Sequence, residues 1–261
     1  MKFLIYAPPY RNSSAGIRVL HRLAEELTKM GCNSFVFTDW HESDKLKPHI
    51  GECVVVYPEI IRGNPMGANN VVRYVLNTPG FMGLSDTTYA DSELVFVFNK
   101  TLLPAAQSAT SQPLDESRIM EISVIEPWLF KPKPEMAKVY DVAFWVGKGV
   151  SIAQASLAKI NEYLSGKKSL QITYQLPSTR EGLALLFQSC HEFLTTDNFT
   201  AMIPEAKLCG CKATVMTADG PVPVEEDASR WSTMWYDISS IRNFLEICRE
   251  RFEPCAVEVG A

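Results

Sequence analysis

Two carboxylates eight residues apart, Asp197 and Glu205, are the acidic pair in this chain with the clearest chemical setting. Asn198, Phe199, Thr200, Ala201, Met202, Ile203 and Pro204 separate them, and Ala206-Lys207-Leu208-Cys209-Gly210 follows. Pro204 fits only the first turn of a helix, where its missing N–H would have no intrahelical partner. Gly210 ends a helix well because it takes the left-handed conformation without penalty. The stretch therefore predicts a polar loop, a short helix over 204–209 and a strand over 213–217. Both carboxylates then lie beside one helix N-terminus. That end carries partial positive charge and N–H groups, which suits an anionic ligand. The acids make sense there if they accept hydrogen bonds from hydroxyls while N–H groups and a cation face phosphate. A plainer alternative stands beside this: Glu205 is a favourable first-turn acid and Asp197 an N-terminal cap.

Other candidates come from the ends of apolar runs. Gly147-Lys148 follows the run 139–146, and Arg180 follows 170–174. Asn12-Ser13-Ser14-Ala15-Gly16 opens the first helix with small, capping-type residues. Glu59, Arg62 and Asn64 occupy a turn-rich loop after the run 53–57, the kind of scaffolded loop on which binding residues sit. Each has an ordinary counterpart: a solvated lysine or arginine, a capped surface loop, a Glu59–Arg62 ion pair. Several chemistries lack their motif. There is no Gly-x-Gly-x-x-Gly and no P-loop. A Gly-x-Ser-x-Gly elbow is missing too. His21, His41, His49 and His191 show no ligand spacing, and a single Cys209-x-Cys211 lacks the paired knuckles of a zinc site. Buried thiols are the expectation.

The 197–216 stretch resembles the acidic signature of retaining GT-B glycosyltransferases. There two glutamates bracket seven residues, and the sequence continues through Glu-Ala and Cys-Gly into an apolar strand. Glu205-Ala206, Cys209-Gly210 and the run after them match; Asp197 stands for the first Glu, and Asn198-Phe199-Thr200 for a Gly-Phe-Gly. The resemblance implies that Glu205 holds ribose hydroxyls, that Asp197 lies near the transferred sugar, and that Asn198, Phe199 and Thr200 line the donor site. Gly147-Lys148 takes the place of a Gly-Arg pair whose cation holds the donor diphosphate. The family's second cation has no direct match, and Arg180 substitutes for it from another direction. Ser14 and Gly16 stand where the family has a Gly-rich phosphate or acceptor loop. The segment with Glu59, Arg62 and Asn64 is similar to an acceptor-side segment of bacterial surface-polysaccharide glycosyltransferases. The implied enzyme uses a nucleotide-sugar as substrate, a glycan or glycoconjugate as acceptor, and neither cofactor nor metal. A second reading is a binding protein of the same fold with weak or lost transfer activity. A nucleotide-sugar epimerase or dehydrogenase would need the missing dinucleotide loop.

The elements that position these residues alternate. Apolar runs predict strands over 2–7, 34–38, 53–57, 94–98 and 120–124, then 139–146, 170–174, 192–196, 213–217 and 233–237. Helical patterns cover 16–30, 66–76, 151–164, 179–189, 204–209 and 239–251. Such alternation points to an α/β fold with parallel sheets covered on both faces. Three prolines in 127–134 mark an extended linker, which divides the chain into two Rossmann-like domains with a GT-B-like cleft between them. The boundaries are 1–126 for the acceptor side and 127–238 for the nucleotide-sugar side; helix 239–261 packs back on the first or finishes the second. Ligands of such sheets bind beyond the carboxyl ends of the strands. With 46% hydrophobic and 21% charged residues, the composition is that of a soluble globular protein. A net charge of −5 argues against nucleic acid as a partner. No apolar run reaches the ~20 residues of a membrane span, which leaves only peripheral membrane contact open. The first run meets Pro8-Pro9 too early for a secretory segment, and seven cysteines suggest thiols in a reducing cytoplasm.

Overall fold

The computed structural model describes residues 1–38, 50–81, 83, 87–147, 150–225 and 227–252, and for 150–156 the backbone alone. The chain forms two compact units, Met1–Arg11 with Gly16–Ile122 and Asp237–Ala261, and Asn12–Ala15 with Ser123–Tyr236. Each carries one five-stranded, mainly parallel sheet, so the fold is α/β.

The first unit runs β1 (Lys2–Tyr6), α1 (Ala15–Lys29), β2 (Asn33–Phe37), β3 (Cys53–Pro58), β4 (Asn70–Val75), β5 (Leu94–Val97) and the short α2 (Leu103–Gln107). Its strands lie in the order β2-β1-β3-β4-β5, all parallel. β3 and β5 are buried along their whole length, as strands with both faces covered must be. Helix α1 buries Ile17, Leu20, Leu23 and Leu27, a stripe spaced by three and four residues. The segment 66–76, predicted as a helix, instead forms β4. Four of its six residues are β-branched or aromatic, and they fit a pleated strand better than a helix. Val71 pairs with Val55 on β3, and Val72 with Leu94 on β5. The predicted strand 120–124 is not a strand; only Ile119, just before it, bridges to Val97.

The second unit runs β6 (Tyr140–Trp145), α3 (Val150–Leu164), β7 (Ser169–Gln171), α4 (Arg180–Gln188), β8 (Cys190–Thr195), α5 (Met202–Leu208), β9 (Lys212–Met216), β10 (Pro221–Pro223) and α6 (Arg230–Met234). The order is β10-β9-β8-β6-β7, with only β10 antiparallel. Its core joins Phe187 and Phe193, 5.2 Å apart edge to face, with Ile125, Phe130, Ala143, Ala206, Cys209 and Cys211. The predicted strand 233–237 is replaced by α6 and the turn after it. The actual last strand, β10, holds two prolines without N–H groups, which only an edge strand tolerates.

The chain ends its described part in α7 (Ser239–Phe252), which belongs to the first unit. Phe244 lies 5.8 Å from Phe3 and 4.9 Å from Phe96, ring to ring. Ser240 Oγ donates to the Glu121 carbonyl at 3.1 Å, and Asn243 Nδ2 to that of Ser117 at 2.7 Å. No helix among the described residues is long and apolar enough to cross a membrane.

Candidate functional site

In both sheets the strand order reverses once, between β1 and β3 and between β6 and β8. Loops leaving the two strands at such a point diverge to opposite faces, and ligands of parallel α/β sheets bind there. In the second unit the loop residues at this point are Val146-Gly147 and Thr196-Asp197. Gly147 has φ +77°, and a Cβ on it would stand 2.8 Å from Asp197 Cβ and 3.1 Å from Thr196 Oγ1. Both the left-handed backbone and the close approach require glycine. Thr196 Oγ1 donates to the Val146 carbonyl and ties the loops together. Asp197 N–H donates to Thr195 Oγ1 at 3.0 Å, and Asp197 Oδ1 accepts from Phe199 N–H at 3.0 Å. Asp197 is thus a half-buried turn organiser and not the helix cap of the plainer alternative, since Ala201 holds the cap position of α5 with no side-chain cap bond. Its Oδ2 makes no hydrogen bond among the described residues. Asn198 and Phe199 are exposed beside it, Phe199 to 69%.

The helix N-terminus beyond is less open than its sequence suggests. Thr200 Oγ1 accepts from Met202 N–H at 3.3 Å, the Thr200 carbonyl accepts from Ile203 N–H at 3.2 Å, and Pro204 has no N–H. These donors are spent inside the turn, so the predicted anion site at the head of α5 is not formed.

Glu205 is fully buried, at 0% exposure. Its Oε1 accepts from Arg180 Nη2 at 2.5 Å. Arg180 begins α4, whose cap Thr179 accepts from Gly182 N–H at 3.0 Å. The same Nη2 donates to Glu126 Oε2 at 2.7 Å, while Nε stands 3.4 and 3.3 Å from the two Glu126 oxygens. The guanidinium rests 4.5 Å above the Phe130 ring. Burial alone would lower the Arg180 pKa; the Glu205 and Glu126 carboxylates outweigh it and hold the group above its ordinary value. Glu205 therefore faces a guanidinium, and taking up ribose hydroxyls would require Arg180 to withdraw. The structure brings Arg180 and Glu205 together; the sequence does not single out Glu126, their partner.

In the first unit the loop residues are mostly engaged in building the loop. Glu59 is buried, and its Oε2 accepts from Leu76 N–H at 2.9 Å. Asn64 Oδ1 accepts from Tyr57 Oη at 3.2 Å and Ala68 N–H at 3.0 Å, and Nδ2 donates to the Ala68 carbonyl at 2.7 Å. Arg62 is exposed and reaches the Gly83 carbonyl at 3.5 Å. Ser14 is half-buried and clusters with the second unit; Gly16, in the first, has Leu76 Cδ1 3.6 Å from where a Cβ would stand. The organiser of this region is Arg73, fully buried in β4. It forks onto Glu93 (Nε–Oε2 3.0 Å, Nη2–Oε1 3.1 Å) and donates to the carbonyls of Ile61 at 2.6 Å and Gly63 at 2.8 Å. One signal marks it in the sequence: a charge inside Val-Val-Arg-Tyr-Val.

The thiols of the second unit are buried. Cys211 Sγ donates to the Phe187 carbonyl at 2.8 Å, and Cys209 Sγ to that of Ala184 at 3.9 Å. Burial pushes both thiols up to about 12. Among the described residues no group of three or more His, Cys, Asp or Glu is placed to hold a metal ion. Lys148 lies outside the described residues. A scan against protein-family models matches none, and a search of curated proteins finds no relative.

Proposed function

We propose that this protein is a metal-independent glycosyltransferase that moves a sugar from a nucleotide-sugar to a hydroxyl of a glycan or glycoconjugate. In this reading its two units are Rossmann-like domains of GT-B type, the donor bound by the second and the acceptor by the first, with the division at Ile122/Ser123 and not at the 126/127 boundary expected from the linker prolines. The single observation that carries it is Asp197 at the β6/β8 reversal, packed over a glycine that no other residue can replace, with one carboxylate oxygen not bonded among the described residues. That carboxylate accepts a hydrogen bond from a sugar hydroxyl beside the reacting carbon. Lys148 and the backbone at Gly147 offset the charge of the departing diphosphate, the largest part of catalysis in such a reaction. Ser14, Gly16, Glu59, Arg62 and Asn64 belong to the acceptor side. Retention of anomeric configuration, and a place in the cytoplasm suited to buried thiols, complete the proposal.

The test is a panel of UDP-, GDP- and dTDP-sugars, read by thermal shift and by release of nucleoside diphosphate. Asn in place of Asp197 keeps the oxygen that accepts from Phe199 N–H, so Asp197→Asn should fold normally. It should lose activity about a hundredfold or more. Full activity in that variant, or no stabilisation by any nucleotide-sugar, sinks the proposal. One observation favours a second reading, a nucleotide-sugar-binding protein without transfer: Glu205 is sealed against Arg180. Binding with no turnover against any acceptor is its signature.

A further inference from the structure

The Arg180 site has the appearance of an ion cluster that is complete on one side only. Its side chain is 8% exposed, so nine-tenths of it is out of water. Yet Nη1 makes no hydrogen bond among the described residues, and Nε has only the long contacts at 3.4 and 3.3 Å. Nη1 is not sealed from solvent, so an anion arriving from outside can reach it. The two carboxylates around it are also unlike. Glu205 has a side chain exposure of 0% and sits in the core beside Ala206 and Cys209. Glu126 is 18% exposed and stands on a turn whose backbone is fixed separately, its carbonyl accepting from Leu129 and Phe130 N–H at 3.0 and 2.9 Å. Glu126 stands nearer the surface, so of the two carboxylates it is the one an arriving anion meets first.

We propose that Arg180 receives a phosphate group of a ligand, and that Glu126 is the internal anion this phosphate displaces, with Glu205 remaining as the fixed counter-ion. The planar fork of a guanidinium matches two oxygens of a phosphate, and such charge-assisted pairs are stronger than neutral ones. Identifying that phosphate with the diphosphate of a nucleotide-sugar rests on the function proposed above; binding of the anion itself does not. Glu126 thus competes with the ligand, and removing its charge tightens binding.

Inorganic pyrophosphate, titrated calorimetrically at low salt into the full chain, tests this. Glu126→Gln should bind it about tenfold more tightly than the parent protein, within the usual range of coupling between competing contacts. Glu126→Asp, one methylene shorter, should fall between, and serves if the Gln variant fails to fold. Arg180→Lys, which keeps the charge and loses the fork, should bind several-fold more weakly, with circular dichroism unchanged. Equal affinities in the parent, Gln and Asp proteins overturn the proposal, as does absence of pyrophosphate binding from all of them. Pyrophosphate binding as expected without nucleotide-sugar turnover leaves this inference standing and removes the transfer reading. Turnover with no effect of Glu126→Gln does the reverse.

Discussion

Arg73 in the first unit and Arg180 in the second are both buried against carboxylates, and the two are finished differently. Arg73 spends its Nε and both terminal nitrogens: a two-bond fork on Glu93 and one bond to each of two loop carbonyls. One cation meets one anion, and every contact lies within a single unit. Arg180 meets two anions, shares one nitrogen between them, and leaves another unused among the described residues. A buried charge that is fully matched holds a structure in place and has nothing left to offer. One that meets two anions and keeps a nitrogen within reach of solvent has a contact to offer a ligand, as proposed above. Arg73 shapes the loop from which Arg62 projects, whereas Arg180 is itself a candidate to touch a ligand.

The sharpest way to break this contrast is to remove Arg73. Arg73→Ala strands Glu93 in the interior and should cost about 3–5 kcal/mol in urea denaturation. A cost near that of a surface substitution would mean that the pair is not structural. Next comes Arg180→Lys, which keeps a cation beside Glu205 and sacrifices only part of the hydrogen bonding. It should cost about 1–3 kcal/mol, less than the first variant, by the same measurement. The smallest effect, taken for one thiol over one pH unit, comes from pH. Burial pushes Cys190 up to about 11 and Cys209 and Cys211 up to about 12. The folded unit therefore keeps these thiols neutral while the unfolded chain ionises them from pH ~9. Their full contribution is present below that pH and fades as pH rises toward the folded values, by at most about 1.4 kcal/mol per pH unit for each thiol. Four of the five tryptophans lie in the second unit, so fluorescence follows it. Cys211→Ala should flatten the alkaline decline seen there, and an unchanged slope would assign the decline to other groups.

Much of the α/β pattern is legible because buried parallel strands read as unbroken apolar runs; Cys53–Pro58 and Leu94–Val97 are such runs. The same property hides β4. A strand buried on both faces has no alternation, so Val71-Val72-Arg73-Tyr74-Val75 gives no two-residue period and passes for a buried helix. β10 is hidden for the opposite reason, since Pro221 and Pro223 argue against a strand until its edge position is known. At the site, the turn at Asp197 and the cap at Thr179 follow from neighbours two or three residues away, within reach of sequence reasoning. Glu126 does not. Its importance depends on Arg180, fifty-four residues on, and no local signal marks a pairing that only tertiary packing creates. Whether Glu205 faces water or a guanidinium is equally beyond local reasoning, because helical position fixes a direction and not what waits there.

Helix α7 bears on the order in which this protein can be made. Phe244 fills the space between Phe3 and Phe96, so the opening strand of the chain waits for a ring that is translated some two hundred and forty residues later. The second unit has its strands in one continuous stretch and can mature while synthesis is still under way. The unit that begins first is thus the one that closes last.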